Sequence, residues 1–79
     1  FDVGGGQMLI AKVDKIIELR KARGLNQKKL SEKAGLPVNA VFRIETGAYT
    51  RTQDLRAKAI ASALECKVEE IFTSDQEAL

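Results

Sequence analysis

Seventy-nine residues with a net charge of +2, 44% apolar residues, one Cys and no His make one small domain. That inventory excludes a disulfide framework, a zinc finger and imidazole acid–base chemistry within one chain. A domain of this size buries only about 60% of the surface its unfolded chain exposes, so pairing with a second copy would help it.

Residues 1–8 read as a flexible leader. Phe1 is not an initiator, so the N-terminus reads as a fragment end, a processed end or appended sequence, with Met8 as a candidate natural start. Three consecutive glycines, Gly4-Gly5-Gly6, carry too much backbone entropy for a helix. The domain is expected over residues 9–73. From Leu9, the apolar residues Leu9, Ile10, Val13, Ile16, Ile17 and Ala22 recur at spacings of three and four, which predicts a first helix with one apolar stripe. Lys12, Lys15, Arg20, Lys21 and Arg23 fall mostly off that stripe, and Gly24 follows a basic last turn where a helix stop belongs.

Asn26 is placed to cap a second helix, in which Leu30 and Ala34 face inward and Gly35 marks the end. So short a helix survives only by packing on its neighbours. Pro37, the only proline, suits the first position of a third helix because its missing N–H would have no partner there. Val41 and Ile44 form that helix's buried edge; Val38, Asn39, Phe42 and Arg43 form the opposite one, and Thr46-Gly47 closes it.

Ala48-Tyr49-Thr50-Arg51 reads as a loop. A fourth helix is predicted over residues 53–64 on Leu55, Ala59, Ile60, Ala63 and Leu64. A short fifth helix over residues 68–72 docks Val68, Ile71 and Phe72, and residues 74–79 form a short tail. With no alternating strand pattern, the expected fold is all-α, a five-helix domain. No run approaches the ~20 apolar residues of a membrane span. The lone Cys66 reads as a small buried hydrophobe and fits a reducing cytoplasm.

Charge is unevenly spread. Residues 8–36 hold eight Lys/Arg against three Asp/Glu, a balance of +5; residues 59–79 hold one against five, a balance of −4. A basic front and an acidic tail point to a polyanion on one side only.

The residues Leu19-Arg20, Gly24-Leu25-Asn26-Gln27, Leu30, Ala34-Gly35-Leu36, Val41, Ile44-Glu45-Thr46-Gly47, Ile60-Ala61-Ser62-Ala63-Leu64 and Val68-Glu69-Glu70-Ile71-Phe72 together carry a resemblance. The chain resembles the Cro/CI-type (lambda-repressor-like, XRE family) helix-turn-helix DNA-binding domain, with the second and third helices as the helix-turn-helix. It departs from that pattern at Pro37, which stands for the usual small hydroxyl cap, at Ser31, which stands for a small Ala, and at Glu65, which stands for a usual Gly.

The resemblance implies that Gln27 bonds a phosphate at the start of the second helix, with Asn26, Lys28, Thr46 and the loop around Tyr49 and Arg51 clamping the same strand. Such contacts set register without reading sequence. Base reading falls to Val38, Asn39 and Arg43: Asn39 suits adenine, Arg43 suits guanine, and Val38 suits a thymine methyl. The alternative for Arg43 is a surface ion pair, and for Asn39 a cap on its own helix. Phe42 is left open among a sugar, a methyl and a core residue. The family also implies that Arg20 and Glu45 form a largely buried, structural salt bridge.

These residues imply a transcriptional regulator, expected to be a repressor that binds a near-palindromic operator on double-stranded DNA as a homodimer. Leu55, Ala59, Phe72 and Leu79 are the candidate dimer surface. The alternative is an antitoxin-like or adaptor module on the same fold. No enzyme is expected: paired carboxylates in a cleft are lacking, and Gly4-Gly5-Gly6 has neither the preceding strand nor the spacing of a dinucleotide loop. No cofactor, metal, small-molecule ligand or membrane is expected, and the location implied is the cytoplasm of a bacterium or a phage host.

Overall fold

Leu9 and Ile10 satisfy a helical stripe and a strand equally well, and the structure resolves them as strand. The computed structural model describes residues 8–48 and 51–74. Within them the order is β1 (Met8–Ala11), α1 (Val13–Ala22), α2 (Gln27–Lys33), α3 (Ala40–Glu45), β2 (Arg51–Gln53), α4 (Asp54–Leu64), α5 (Val68–Ile71) and β3 (Phe72–Ser74). The five helices stand as expected in number, but the fold is not all-α. A three-stranded antiparallel sheet of order β2-β1-β3 closes it.

The sheet explains where the first helix begins. Leu9 pairs with Thr52 on one side and Ser74 on the other, and Ala11 pairs with Phe72. Side chains alternate faces along a strand, so Leu9, Thr52 and Phe72 share the inner face, and all three are buried. Lys12 then ends the strand: its N–H donates to the Ile71 carbonyl at 2.8 Å and its Nζ to the Glu69 carbonyl at 3.0 Å. α1 starts one residue later, at Val13.

The core is one cluster built from Leu9, Ile16, Leu30, Val41, Ile44, Ala57, Ile60, Leu64, Ile71 and Phe72, with smaller alanines between them. Each large side chain sealed here contributes about 1.5–3 kcal/mol relative to exposure. Phe72 is 2% exposed and opens β3. This overturns its place in the candidate dimer surface and in the fifth helix, because its ring is needed under the sheet. Leu79 lies outside the described residues. Cys66 is half-buried against the core, and burial next to the Glu70 carboxylate pushes its thiol pKa up, with Arg23 opposing.

Four helices end the same way. After α2, the Leu36 N–H donates to the Ser31 carbonyl at 2.9 Å and the Gly35 N–H to the Glu32 carbonyl at 3.0 Å. This is a left-handed stop. A Cβ at Gly35 would meet nothing within 4 Å, so the position asks for its φ of +74° and not for space. α4 stops with the same bond pattern on Glu65, at φ 60° and ψ 44°. A side chain in that conformation costs roughly 1–2 kcal/mol.

Candidate nucleic-acid interface

The corner between α2 and α3 is held by side chains that bond across it. Asn26 caps α2, its Oδ1 accepting from the Lys29 N–H at 2.7 Å. One turn on, Ser31 is fully buried. Its hydroxyl donates to the Gln27 carbonyl at 2.9 Å and accepts from the Val41 N–H at 3.0 Å. Val41 lies in the first turn of α3, whose N–H groups have no intrahelical partners. Ser31 therefore caps α3 from the neighbouring helix. The departures at positions 31 and 37 are thus one feature: Pro37 brings no hydroxyl, and Ser31 supplies it.

Pro37 is not the first residue of the third helix. Its carbonyl accepts from the Ala40 N–H at 2.9 Å in a turn, and α3 begins at Ala40. Asn39 takes the cap position but makes no side-chain cap bond there, so the capping alternative for its amide does not describe this structure. Within and around α3, Ala40, Val41 and Ile44 are buried. With about 100° between successive helical residues, the opposite direction passes through Phe42, with Asn39 and Thr46 beside it and Val38 and Arg43 on the flanks. All five are exposed, Phe42 to 51% and Val38 to 49%. Phe42 is therefore not a core residue; it stands in the middle of the outward face. The Thr46 hydroxyl donates to the Arg43 carbonyl at 3.3 Å.

A buried ion pair fixes this face to the rest of the molecule. Arg20 Nε lies 2.8 Å from Glu45 Oε2, and Arg20 Nη2 donates to Oε1 at 3.1 Å. Arg20 Nη1 donates to the Leu25 carbonyl at 3.0 Å. The side chains are only 11% and 4% exposed. Glu45 Oε1 also accepts from Gln27 Nε2 at 2.8 Å. One carboxylate on the last residue of α3 thus gathers α1 and the first residue of α2. Gln27 is not a simple exposed amide, and its Nε2 has a second hydrogen to give.

The remaining candidates are spread more widely. Lys28 is exposed on α2. Arg51 is exposed in β2, so the expected loop is a strand at its end. Tyr49 lies outside the described residues. Arg56 is not among the site residues that the sequence pattern marks. It lines a depression of ≈ 270 Å³ with Pro37, Asn39, Ala40 and Arg43, and a second of ≈ 230 Å³ with Met8, Arg51, Thr52 and Gln53. It bridges the start of α3 and the sheet. Nothing in its sequence context marks it; only the fold brings three arginines, Arg43, Arg51 and Arg56, around two hollows that share Arg56. Among the described residues, no group of three His, Cys, Asp or Glu could hold a metal ion, and no helix is long and apolar enough to cross a membrane.

The helix-turn-helix family model matches residues 16–71. The restriction-modification controller protein C.AhdI from Aeromonas hydrophila is similar in structure, with a TM-score of 0.67 and 29% identity over 73% of this chain and 86% of that one. A variant of hydroxyethylphosphonate dioxygenase matches with a TM-score of 0.64 and 22% identity. That match covers 78% of this chain but 13% of the enzyme, so what is shared is the fold. No curated protein matches the sequence.

Proposed function

We propose a function from a premise the family match establishes: the chain belongs to the Cro/CI-type, or XRE-type, helix-turn-helix family of DNA-binding transcription regulators. In our reading it is a sequence-specific regulator of transcription, acting as a repressor and as a homodimer on a near-palindromic operator. The observation that carries this is the outward face of α3, where exposed Asn39 and Arg43 are held on a helix anchored by Arg20, Gln27 and Glu45. The likeness to a restriction-modification controller supports a regulatory role.

In this reading Asn39 and Arg43 read adenine and guanine edges, and Val38 meets a thymine methyl. Asn26, Gln27, Lys28, Thr46, Tyr49 and Arg51 bind the backbone, and Arg56 joins them beside Arg43. The second Nε2 hydrogen of Gln27 goes to a phosphate while the first holds Glu45, so the donor arrives already oriented. One such face makes a small footprint. Two copies on half-sites about one helical turn apart supply useful specificity. Leu55, 78% exposed, and Ala59 on α4 support a surface for that pairing.

The test is selection of bound duplexes from a random pool, followed by salt titration of the recovered site. A palindromic motif whose affinity falls steeply with salt is expected, because each neutralised phosphate releases counterions. Absence of duplex binding at low salt would favour the antitoxin-like or adaptor reading instead. Arg43→Ala should relax preference at one base position, whereas Gln27→Ala should weaken all sequences alike.

A further inference from the structure

We propose that Phe42 reads the C5-methyl group of a pyrimidine in the major groove, so that binding responds to cytosine methylation within the half-site. This rests on the DNA-binding reading above and adds, to the thymine methyl that reading gives Val38, a second C5-methyl contact at the centre of the outward face. Phe42 and Val38 are two of the three exposed large apolar side chains among the described residues; the third, Leu55, is on α4. The core has no place for the ring, because Ala40, Val41 and Ile44 already fill the inner face of α3 to 3% exposure or less. What remains is the centre of the outward face, between Asn39 and Arg43, with Lys28 and Lys29 exposed on the adjoining helix.

A phenyl ring offers no donor or acceptor in the plane of a base edge. Nearly every group that base pairs show in the major groove is polar: N7, O6, O4 and the exocyclic amines. Set against one of these, the ring would remove water without replacing its hydrogen bond, which is unfavourable. The apolar exception is the C5-methyl group of thymine. 5-Methylcytosine carries its methyl on the same ring carbon. Phe42 therefore favours thymine or 5-methylcytosine over unmodified cytosine at the position it covers, while Asn39 and Arg43 read the polar edges to either side.

The experiment uses the duplex recovered by selection. Each thymine is replaced singly by uracil, which removes only the methyl. At the sensitive position the pair is then changed to C·G, with and without C5 methylation. Loss of about fourfold in affinity is expected for uracil at the covered thymine, the value of one buried methyl group. Methylation of cytosine there should recover a similar factor. At the position Phe42 covers, Phe42→Ala should bind the thymine and uracil duplexes equally and Phe42→Leu should keep the preference, whereas a thymine met by Val38 should stay sensitive in both. Uracil that is neutral at every position, or a ratio unchanged at every sensitive position in Phe42→Ala, overturns the proposal while leaving DNA binding intact. Failure of the unmodified chain to bind any duplex at low salt removes both.

Discussion

The corner formed by α2, α3 and the end of α1 is held together differently from the part formed by the sheet, α4 and α5. In the first, directional side-chain bonds add to the burial of Leu30, Val41 and Ile44: Glu45 accepts from Arg20 and Gln27, and Ser31 joins Gln27 to Val41. In the second, the side chains of Ile60, Leu64, Ile71 and Phe72 are sealed by apolar packing. Apolar packing stabilises without fixing direction, and cores of the right volume tolerate rearrangement. Hydrogen bonds to a buried carboxylate tolerate little, since a misplaced partner leaves a charge unpaired. The outward face of α3 is therefore set by geometry, and the rest of the domain supplies the stability that lets it be so set.

The contrast is most exposed to failure at Glu45. Glu45→Ala should cost ~3–5 kcal/mol, because Arg20 is left buried and uncompensated; the midpoint of denaturant unfolding measures this. A sharper form replaces both partners, Arg20→Met with Glu45→Leu. Stability should largely return, while specific DNA affinity should stay low, because Gln27 loses its anchor. Full recovery of affinity in the double variant would show that the ion pair does not set the face.

On the apolar side, Leu64→Ala should cost ~2–5 kcal/mol, and DNA affinity measured on the folded fraction should be unchanged. Ser31→Ala is expected to cost ~1–3 kcal/mol by leaving the Val41 N–H buried without an acceptor. Unlike the Leu64 variant, it should also weaken specific binding, since α3 loses its cap. An effect on stability alone would move Ser31 to the other side of the comparison.

The smallest effect has the opposite sign. Glu65→Gly should stabilise by ~0.5–1 kcal/mol, the left-handed strain removed less the backbone entropy that glycine brings. Thermal unfolding reads the gain, and DNA binding should not change, because Glu65 lies at the far end of α4.

What the sequence displayed follows the same division. Helices were legible where stripes of Ile, Leu and Val ran long enough to show their period, as in α1 and α4. The strands were not. β1 is four residues, and β2 and β3 are three each, too short for alternation to stand out, and their partners are some forty and sixty positions away. Of the residues facing out, Asn39 and Arg43 were visible as polar positions opposite a buried edge. Phe42 falls on the same edge in the sequence, but what its ring touches stays open among a sugar, a methyl and a core residue until the core is seen to be full. Arg20 and Glu45 are 25 residues apart, and only the family pattern brought them together. Ser31 shows in the sequence only as one small residue in place of another; its bonds to Gln27 and Val41 exist only once α2 and α3 are packed. Arg56 has no local signal at all.

The order of the strands has one more consequence. β1 lies between β2 and β3, which do not pair with each other. Of the described elements β1 comes first in the chain and its partner β3 comes last. Until residues 72–74 emerge, Leu9 and Ile10 present an unpaired edge, and α4 lacks the Phe72 ring that completes its packing. Pairing across so long a stretch of chain must wait for both partners, so the sheet of this domain is completed only with the last of its described strands.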